Sequence, residues 1–250
     1  MKKLRKLAVV VVAAALMAGI MPQATGAADA RQVQRVPIFM YHTSSEYNPG
    51  RTFYELYIRP SEFERQVQHL VDGGYTFMTF DEWFDMNTVD RPVFITFDDG
   101  YETNYTEIFP IIKRHNVKIT IFLETGSIGR RGRLSADMIR RMSDSGLVKF
   151  ESHAVSHQRL TELSPEKLRE ELRESRRTIE SITGRRVHAV AYPFGAFNEQ
   201  VIAAAREYYQ FGVAVMGSKH NTARHGNFEI RRMEVRRSTT MAQFRGMLAS

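Results

Sequence analysis

The stretch Val-Phe-Ile-Thr-Phe-Asp-Asp-Gly at residues 93–100 combines a strand-forming run with two adjacent acids. Its first five residues are β-branched or aromatic, which is the composition of a buried strand. Asp98 and Asp99 follow directly where this strand should end. In parallel α/β folds the loops after the carboxyl ends of the strands carry the chemistry. The stretch therefore predicts a buried strand with a polar site at its end.

Strand-like and helix-like segments alternate along the rest of the chain. Further strands are predicted at residues 37–41, 118–123, 148–151, 189–192, 211–215 and 230–235. Helices are predicted at residues 61–71, 102–115, 135–143, 165–182, 199–208 and 241–248, and a Ser61 capping box opens the first. This alternation implies parallel βαβ units. About seven units in roughly 220 residues favour an α/β fold of the closed or nearly closed (β/α) barrel type, with an open doubly wound sheet as the alternative.

The first 30 residues differ from the rest of the chain. Four basic residues within positions 2–6 precede an apolar run from Leu7 to about Met21, followed by Ala-rich sequence. This order is typical of a secretory signal, and the apolar run is short for a membrane span. We therefore expect a signal peptide over residues 1–30 and a single domain over residues 31–250 of a secreted or cell-surface protein. Membrane association would then be transient, and an uncleaved anchor is the alternative.

The composition narrows the chemistry that the chain can perform. Among its 250 residues there is no cysteine, so any metal must be bound by His, Asp or Glu. The formal charge of +7 falls to about +4 without residues 1–30, which carry four basic residues and one acid. The arginines are also scattered along the chain, so no nucleic-acid partner is expected.

Two pairs of polar residues at predicted strand ends are candidates for a metal site. The adjacent carboxylates of Asp98 and Asp99 repel each other in a site with little water. Either a cation must lie beside them or the pKa of one of the two acids must be raised. His153 and His157 follow another predicted strand, and neutral imidazole is a common ligand for zinc. A metal ion held by two His and one Asp keeps coordination positions open for water and substrate. The alternatives are a solvated Asp-Asp-Gly turn and a His pair on a helix surface.

Two further motifs fall at predicted strand ends. Tyr192-Pro193-Phe194-Gly195 is either a simple aromatic turn or a rigid loop whose backbone N–H groups face a cleft and bind an oxyanion. His42 ends the first predicted strand, where a single His is commonly structural. In a barrel it would share the rim with the other motifs.

In this order, Thr-Phe-Asp-Asp-Gly, Ser-His-x-x-x-His and Tyr-Pro-Phe-Gly resemble the motifs of the polysaccharide deacetylase family, the NodB-homology group or carbohydrate esterase family 4. The resemblance implies a distorted (β/α) barrel that removes acetyl groups from sugars with a divalent metal, usually zinc and sometimes cobalt or nickel. It implies that Asp98 is the general base and that Asp99, His153 and His157 hold the metal. It also implies that the Phe194 N–H helps to form the oxyanion hole, within a turn that lines the acetyl pocket.

The sequence departs from the common family pattern in two places. The arginine that usually orients the base is replaced by Ala191, and the usual late Leu-x-His is not evident near His220 or His225. The N-terminal Ile-Phe-Met-Tyr-His resembles instead the circularly permuted branch that deacetylates poly-β-1,6-N-acetylglucosamine. In that branch His42 corresponds to the general acid.

The expected substrate is an acetylated glycan, and a monomer is expected. Tyr101 directly follows the Asp-Asp-Gly and is a candidate for sugar contact, whereas Trp83 is expected to be a packing residue of the core or the surface. Residues 43–59 lack a clear period and are expected to form a loop over the cleft. Poly-β-1,6-N-acetylglucosamine, peptidoglycan, chitin oligomers and acetylxylan stay open as substrates. A non-catalytic glycan-binding module and a membrane-anchored scaffold are the alternatives from other functional classes.

Overall fold

A computed structural model of the chain describes residues 35–47, 50 and 53–249. The described residues belong to one compact unit. The predicted signal peptide at residues 1–30 lies outside the described residues.

The strands of the described residues are β1 Arg35–Val36, β2 Ile38–Tyr41, β3 Thr43–Ser44, β4 Tyr57–Ile58, β5 Thr76–Phe77, β6 Pro92–Phe97, β7 Ile119–Leu123, β8 Val148–Ser152, β9 Ala189–Ala191, β10 Phe211–Val215, β11 His220–Asn221 and β12 Ile230–Glu234. Seven parallel strands close into a barrel in the order β2-β12-β10-β9-β8-β7-β6, and β6 pairs back with β2. The predicted distorted (β/α) barrel is therefore confirmed. β5 adds to β6 outside the closed ring, and two short strand pairs, β1–β11 and β3–β4, lie apart from it.

The N-terminal strand β2 closes the ring by lying between β6 and the last barrel strand. Tyr41 is paired with Phe97 on β6, and Phe39 with Met233 on β12. Because all pairings in the ring are parallel, every strand has its carboxyl end at the same end of the barrel. The predicted motifs at the strand ends therefore meet there.

Helices cover the outside of the barrel, with bounds α1 Pro60–Asp72, α2 Phe109–His115, α3 Ala136–Asp144, α4 Pro165–Thr183, α5 Glu199–Arg206 and α6 Met241–Ala249. Short 3₁₀ segments and one π-helical turn, Asn104–Ile108, complete the connections. The turn precedes α2, so the predicted helix over residues 102–115 is regular only in its second half.

The predicted capping role of Ser61 is wrong. α1 begins at Pro60 with Arg59 as its N-cap, because proline has no N–H to satisfy and suits the first helical position. The Ser61 hydroxyl instead donates to the Glu46 carboxylate at 2.8 Å. The capping box in this part of the chain is formed by Thr79 and Glu82.

Two layers of buried residues set up the site. One lies between the ring and the helices, and the other fills the barrel around Phe80 and Trp83, so the packing role of Trp83 is in the core. Along each strand every second side chain points into the barrel. On β6 this inward row runs from Phe94 through Thr96 to Asp98. Apolar residues therefore close one end of the barrel, and polar residues reach the other.

Candidate metal and catalytic site

A cavity of about 630 Å³ opens at the carboxyl ends of the barrel strands. The inward rows of six strands end in it, and it is lined at those strand ends by His42, Asp98, Glu124, His153, Val215 and Glu234. Asp99, Tyr101, His157, Tyr192, Phe194 and Gly195 line it from the connecting loops. The four sequence motifs therefore converge on one cavity.

Asp99, His153 and His157 form the only group of three His or acidic ligands within coordination reach of one another in the described part of the chain. The Asp99 Oδ1 atom lies 3.5 Å from the His153 Nε2 and 3.4 Å from the His157 Nε2. This oxygen is buried and accepts no hydrogen bond from any described residue. An unsatisfied carboxylate oxygen facing two imidazole nitrogens suits a divalent cation that prefers nitrogen and oxygen ligands.

The surroundings of His153 prepare its ring for metal binding. Its Nδ1 donates to the Ala191 carbonyl at 2.7 Å, which leaves the Nε2 lone pair directed toward Asp99. Burial lowers the pKa of His153 and outweighs the nearby charges of Asp98 and Asp99. The ring is therefore neutral at physiological pH, as a metal ligand must be.

Several non-glycine residues of the site have left-handed backbone conformations. The φ angles are 72° at Asp99, 61° at Ala154, 55° at His157 and 59° at Phe194. Such residues cost roughly 1–3 kcal/mol each and persist only where the surrounding structure enforces them. Gly100 follows with φ 71°, and a Cβ there would lie 2.5 Å from a Leu123 methyl. The turn that aims both acids into the cavity thus depends on this glycine.

Asp98 is held by an arginine that the sequence reasoning missed. The Arg232 guanidinium donates through Nη1 to Oδ1 at 2.6 Å and through Nη2 to Oδ2 at 2.7 Å. The same Nη1 donates to the Thr96 hydroxyl at 3.0 Å. Burial raises the pKa of Asp98, but the charge and the hydrogen bonds of the Arg232 guanidinium outweigh burial and contribute to lowering it to about 2. Asp98 is therefore a fixed carboxylate at neutral pH.

A signal for Arg232 is present in the sequence. In a barrel strand every second residue points inward. The last strand carries Ile230, Arg232 and Glu234 at such positions, and Ile230 is apolar. An arginine that follows an inward apolar residue in a predicted barrel strand is a candidate partner for a buried acid.

The turn Tyr192–Gly195 brings its backbone to the cavity but uses part of its side chains for structure. The Tyr192 hydroxyl donates to the Phe228 carbonyl, and a Cβ at Gly212 would lie 1.9 Å from this hydroxyl oxygen. Pro193 is buried and is not among the residues that line the cavity. The Phe194 side chain is 60% exposed and packs edge-on against His157, with ring centroids 4.6 Å apart.

His42 and Tyr101 both lie on the cavity wall. The His42 carbonyl accepts a hydrogen bond from the Asn104 side chain at 3.0 Å. The Tyr101 ring lies under the Arg133 guanidinium, 4.2 Å from its centroid, and Arg133 also donates to the Asp99 carbonyl at 2.9 Å. Tyr101 and Arg133 therefore support the Asp-Asp-Gly turn from the cavity side.

The segment after β2 contributes residues that no motif marked. Phe53 and Leu56 line the cavity, and Phe53 is 74% exposed. Arg237 holds this segment by donating to the carbonyls of Ser45 and Tyr57, both at 2.8 Å. In its described parts, the segment expected to form a loop over the cleft thus contains the short strands β3 and β4 and is tied to residues that follow β12.

Residues 85–211 match the family described as polysaccharide deacetylase, and the chain belongs to this family. YxkH of Bacillus subtilis, whose name assigns it to the polysaccharide deacetylases, is 34% identical over 72% of the chain. A peptidoglycan-N-acetylmuramic acid deacetylase of the same organism is 31% identical over 56% of the chain. A poly-β-1,6-N-acetylglucosamine N-deacetylase of Staphylococcus aureus is 26% identical over 60% of the chain. The resemblance predicted from the motifs is therefore confirmed at the level of the family.

The crystal structure of a polysaccharide deacetylase from Bacillus cereus is similar in fold, with a TM-score of 0.82 and 32% identity. The match covers 86% of this chain and 69% of that one. The chain spans 64%, 54% and 58% of the lengths of the three curated relatives. In the described residues no helix combines the length and the apolar character that crossing a membrane requires.

Proposed function

We propose that the chain is a divalent-metal-dependent hydrolase that removes N-acetyl groups from polysaccharides containing N-acetylglucosamine, either poly-β-1,6-N-acetylglucosamine or peptidoglycan. The observation that carries this proposal is the unsatisfied Asp99 oxygen that faces two imidazole nitrogens, beside a second, ionised carboxylate on Asp98. Membership of the family and the names of the relatives support it.

Asp99, His153 and His157 would hold the ion. Zinc suits this mixed set of one carboxylate and two imidazoles, and cobalt or nickel are the alternatives. When bound in such a site, a divalent ion lowers the pKa of water to about 7 and polarises a carbonyl oxygen.

Asp98 would accept the proton of the water that attacks the acetamide carbonyl. Its position is fixed by the two bonds from Arg232, which takes the place of the arginine missing at Ala191. The same arginine lowers the pKa of Asp98 and makes it a weaker base. Asp98 would therefore act as a weak proton acceptor whose position is fixed by Arg232.

The Phe194 N–H would donate to the oxyanion that develops as the carbonyl is attacked. One such donor contributes about 3 kcal/mol to the stabilisation of a transition state. His42 would protonate the departing amine, because an amide nitrogen leaves only as the neutral amine. Tyr101 and Phe194 offer aromatic surface to a sugar ring at the cavity wall.

The substrate would be reached outside the cytoplasm by a secreted or cell-surface monomer, with residues 1–30 as the export signal. Cleavage of acetylxylan or chitin oligomers is the alternative within the same chemistry. A non-catalytic glycan-binding relative is the alternative outside it, and the complete set of Asp98, Asp99, His153 and His157 argues against that alternative.

A panel of acetylated glycans tests the proposal. Purified protein supplied with zinc, cobalt or nickel is incubated with poly-β-1,6-N-acetylglucosamine, peptidoglycan, chitin oligomers and acetylxylan, and free amine and acetate are measured. We expect equal amounts of amine and acetate from an N-acetylglucosamine polymer. Acetate without amine, from acetylxylan only, would identify an esterase, and no product despite bound metal would identify a binding module.

A further inference from the structure

The loop that joins the two histidines of the candidate metal site is bound from behind by a carboxylate on α4. The Glu171 Oε2 accepts hydrogen bonds from the Val155 N–H at 2.8 Å and the Ser156 N–H at 2.9 Å. Its Oε1 accepts a third bond from the Ser156 hydroxyl at 2.8 Å. Both carboxylate oxygens are therefore committed to two consecutive residues of this loop.

The position of Glu171 is costly for a charged group. The residue is only 3% exposed, and among the described residues no basic side chain lies within salt-bridge distance of its carboxylate, although the charge of Lys167 acts on it from further away. A buried carboxylate that forms no salt bridge is tolerated only when hydrogen-bond donors satisfy its oxygens. Here all three donors come from residues 155–156. The compensation of this buried charge thus depends on the loop keeping its present shape.

The loop needs external support because its backbone is unfavourable. Left-handed residues flank the two that bind Glu171, with φ 61° at Ala154 and 55° at His157. The Val155 carbonyl in turn accepts a hydrogen bond from the Gly126 N–H at 2.8 Å. Val155 is therefore held between Glu171 and the loop after β7.

The two histidines depend on this loop to different extents. His153 follows β8 directly and has its own anchor in the Ala191 carbonyl. His157 follows the strained loop, one residue after Ser156. Support of the loop by Glu171 therefore acts chiefly on His157.

We infer that Glu171 is a positioning residue that presets His157 for metal binding, so that the ion meets a formed site and not a mobile third ligand. This inference rests on the proposed function, since it assumes that Asp99, His153 and His157 bind a divalent ion. Partners of metal ligands that fix ligand orientation typically contribute 10- to 100-fold to metal affinity.

Two substitutions of Glu171 distinguish the effect of its hydrogen bonds on the loop from the effect of its charge. In E171Q the amide oxygen can accept both backbone N–H bonds, and the amide nitrogen can donate to the Ser156 hydroxyl, which rotates to accept. E171Q therefore keeps the support of the loop and loses only the charge. E171A loses both, and E170A is the matched control, because Glu170 is exposed and pairs with Lys167.

The test is the dissociation constant for zinc, measured on metal-free protein by competition with a chromophoric chelator at fixed pH. The visible absorption of cobalt-loaded protein reports the number and geometry of its ligands, and circular dichroism confirms that each variant is folded. We expect E171A to bind zinc about 10- to 100-fold more weakly and to change the cobalt spectrum. E171Q and E170A should stay within about threefold of the wild type. If E171A does not fold, E171D replaces it, because its carboxylate is too short to reach the same donors.

A double-mutant cycle with H157A locates the effect. When His157 is absent, E171A should weaken zinc binding little further, because Glu171 acts through that ligand. Wild-type affinity in folded E171A would overturn the inference and leave the proposed function standing, as would an E171Q that binds as weakly as E171A. Failure of the wild type itself to bind zinc would overturn the proposed function.

Discussion

Arg232 and Asp98 lie 134 positions apart in sequence and form two charge-assisted hydrogen bonds, at 2.6 and 2.7 Å, inside the barrel. Both residues are buried, and the Arg232 guanidinium also lies 5.2 Å above the Phe122 ring. A bidentate pair of this kind fixes the plane of the carboxylate as well as its position. The orientation of the candidate base is therefore supplied by the last barrel strand.

Replacement of Arg232 by Met should damage both stability and turnover. The change leaves the Asp98 carboxylate buried without its partner, which costs about 3–5 kcal/mol when a buried pair is broken. We expect a loss of this size in urea-induced unfolding and a large fall in kcat. Arg140→Met is the control, since Arg140 pairs with Asp137 at the surface and such pairs contribute about 0–1 kcal/mol. Equal stability of the two variants would contradict a structural role for the pair.

Substitutions at the two adjacent acids should affect turnover and metal binding differently. Asp98→Asn keeps the shape of the side chain but removes the proton acceptor, so kcat should fall about 10²- to 10⁴-fold with zinc affinity retained. Asp99→Ala should lose zinc and turnover together. The measurement is a zinc titration beside an assay of acetate release. Loss of zinc in Asp98→Asn, or tight zinc in Asp99→Ala, would mean that the two roles are assigned wrongly.

His42 should matter for amides more than for activated esters. The amine of an N-acetyl sugar must be protonated to leave, whereas nitrophenolate departs without a proton. In His42→Ala we therefore expect a fall of about 10²-fold or more in kcat on N-acetylated oligomers, with nitrophenyl acetate cleaved at close to the wild-type rate. Parallel losses on the two substrates would argue that His42 supports the site structurally.

Low pH should reduce the stability of the fold, because His220 is buried in its neutral form. This residue is buried in β11, its ring centroid lies 5.5 Å from that of Trp83, and burial together with the charges of His225 and Arg231 lowers its pKa to about 4. The unfolded chain has a His pKa near 6.5, so between about pH 6.5 and 4 the unfolded state binds more protons. The contribution of neutral His220 is thus complete above that range and is lost as the pH falls through it.

His220→Leu removes this titration. Between about pH 7 and pH 4.5, the free energy of unfolding should fall less for this variant than for the wild type. The difference between the two losses should be on the order of 2 kcal/mol. Urea unfolding at a series of pH values measures the difference. Curves that run parallel for the two proteins would show that His220 does not titrate in this way.

Local patterns in the sequence were sufficient to predict the barrel and most of the candidate site. The hydrophobic run before Asp98, the His pair after β8 and the turn at Tyr192 each mark the carboxyl end of a strand, and parallel pairing brings such ends together. At α1 the serine pattern is misleading, because the fixed φ and the missing N–H of Pro60 decide where that helix begins.

Partners that depend on tertiary contact could not be read from local sequence. Arg232 reaches Asp98 only because β12 and β6 both flank β2 in the closed ring. Glu171 reaches the loop of the histidines because α4 packs against β8, and in the sequence it appears as one of many charges on a surface helix. Phe53 joins the cavity through a segment without hydrophobic periodicity.

The most direct measurement of the central claim is acetate release from an N-acetylglucosamine polymer as zinc is returned to chelator-treated protein. The arrangement of Asp99, His153 and His157 predicts negligible release without metal and a rise that reaches its plateau at one ion per chain. Undiminished release from the metal-free protein, or none from any N-acetylated glycan at full zinc occupancy, would contradict it.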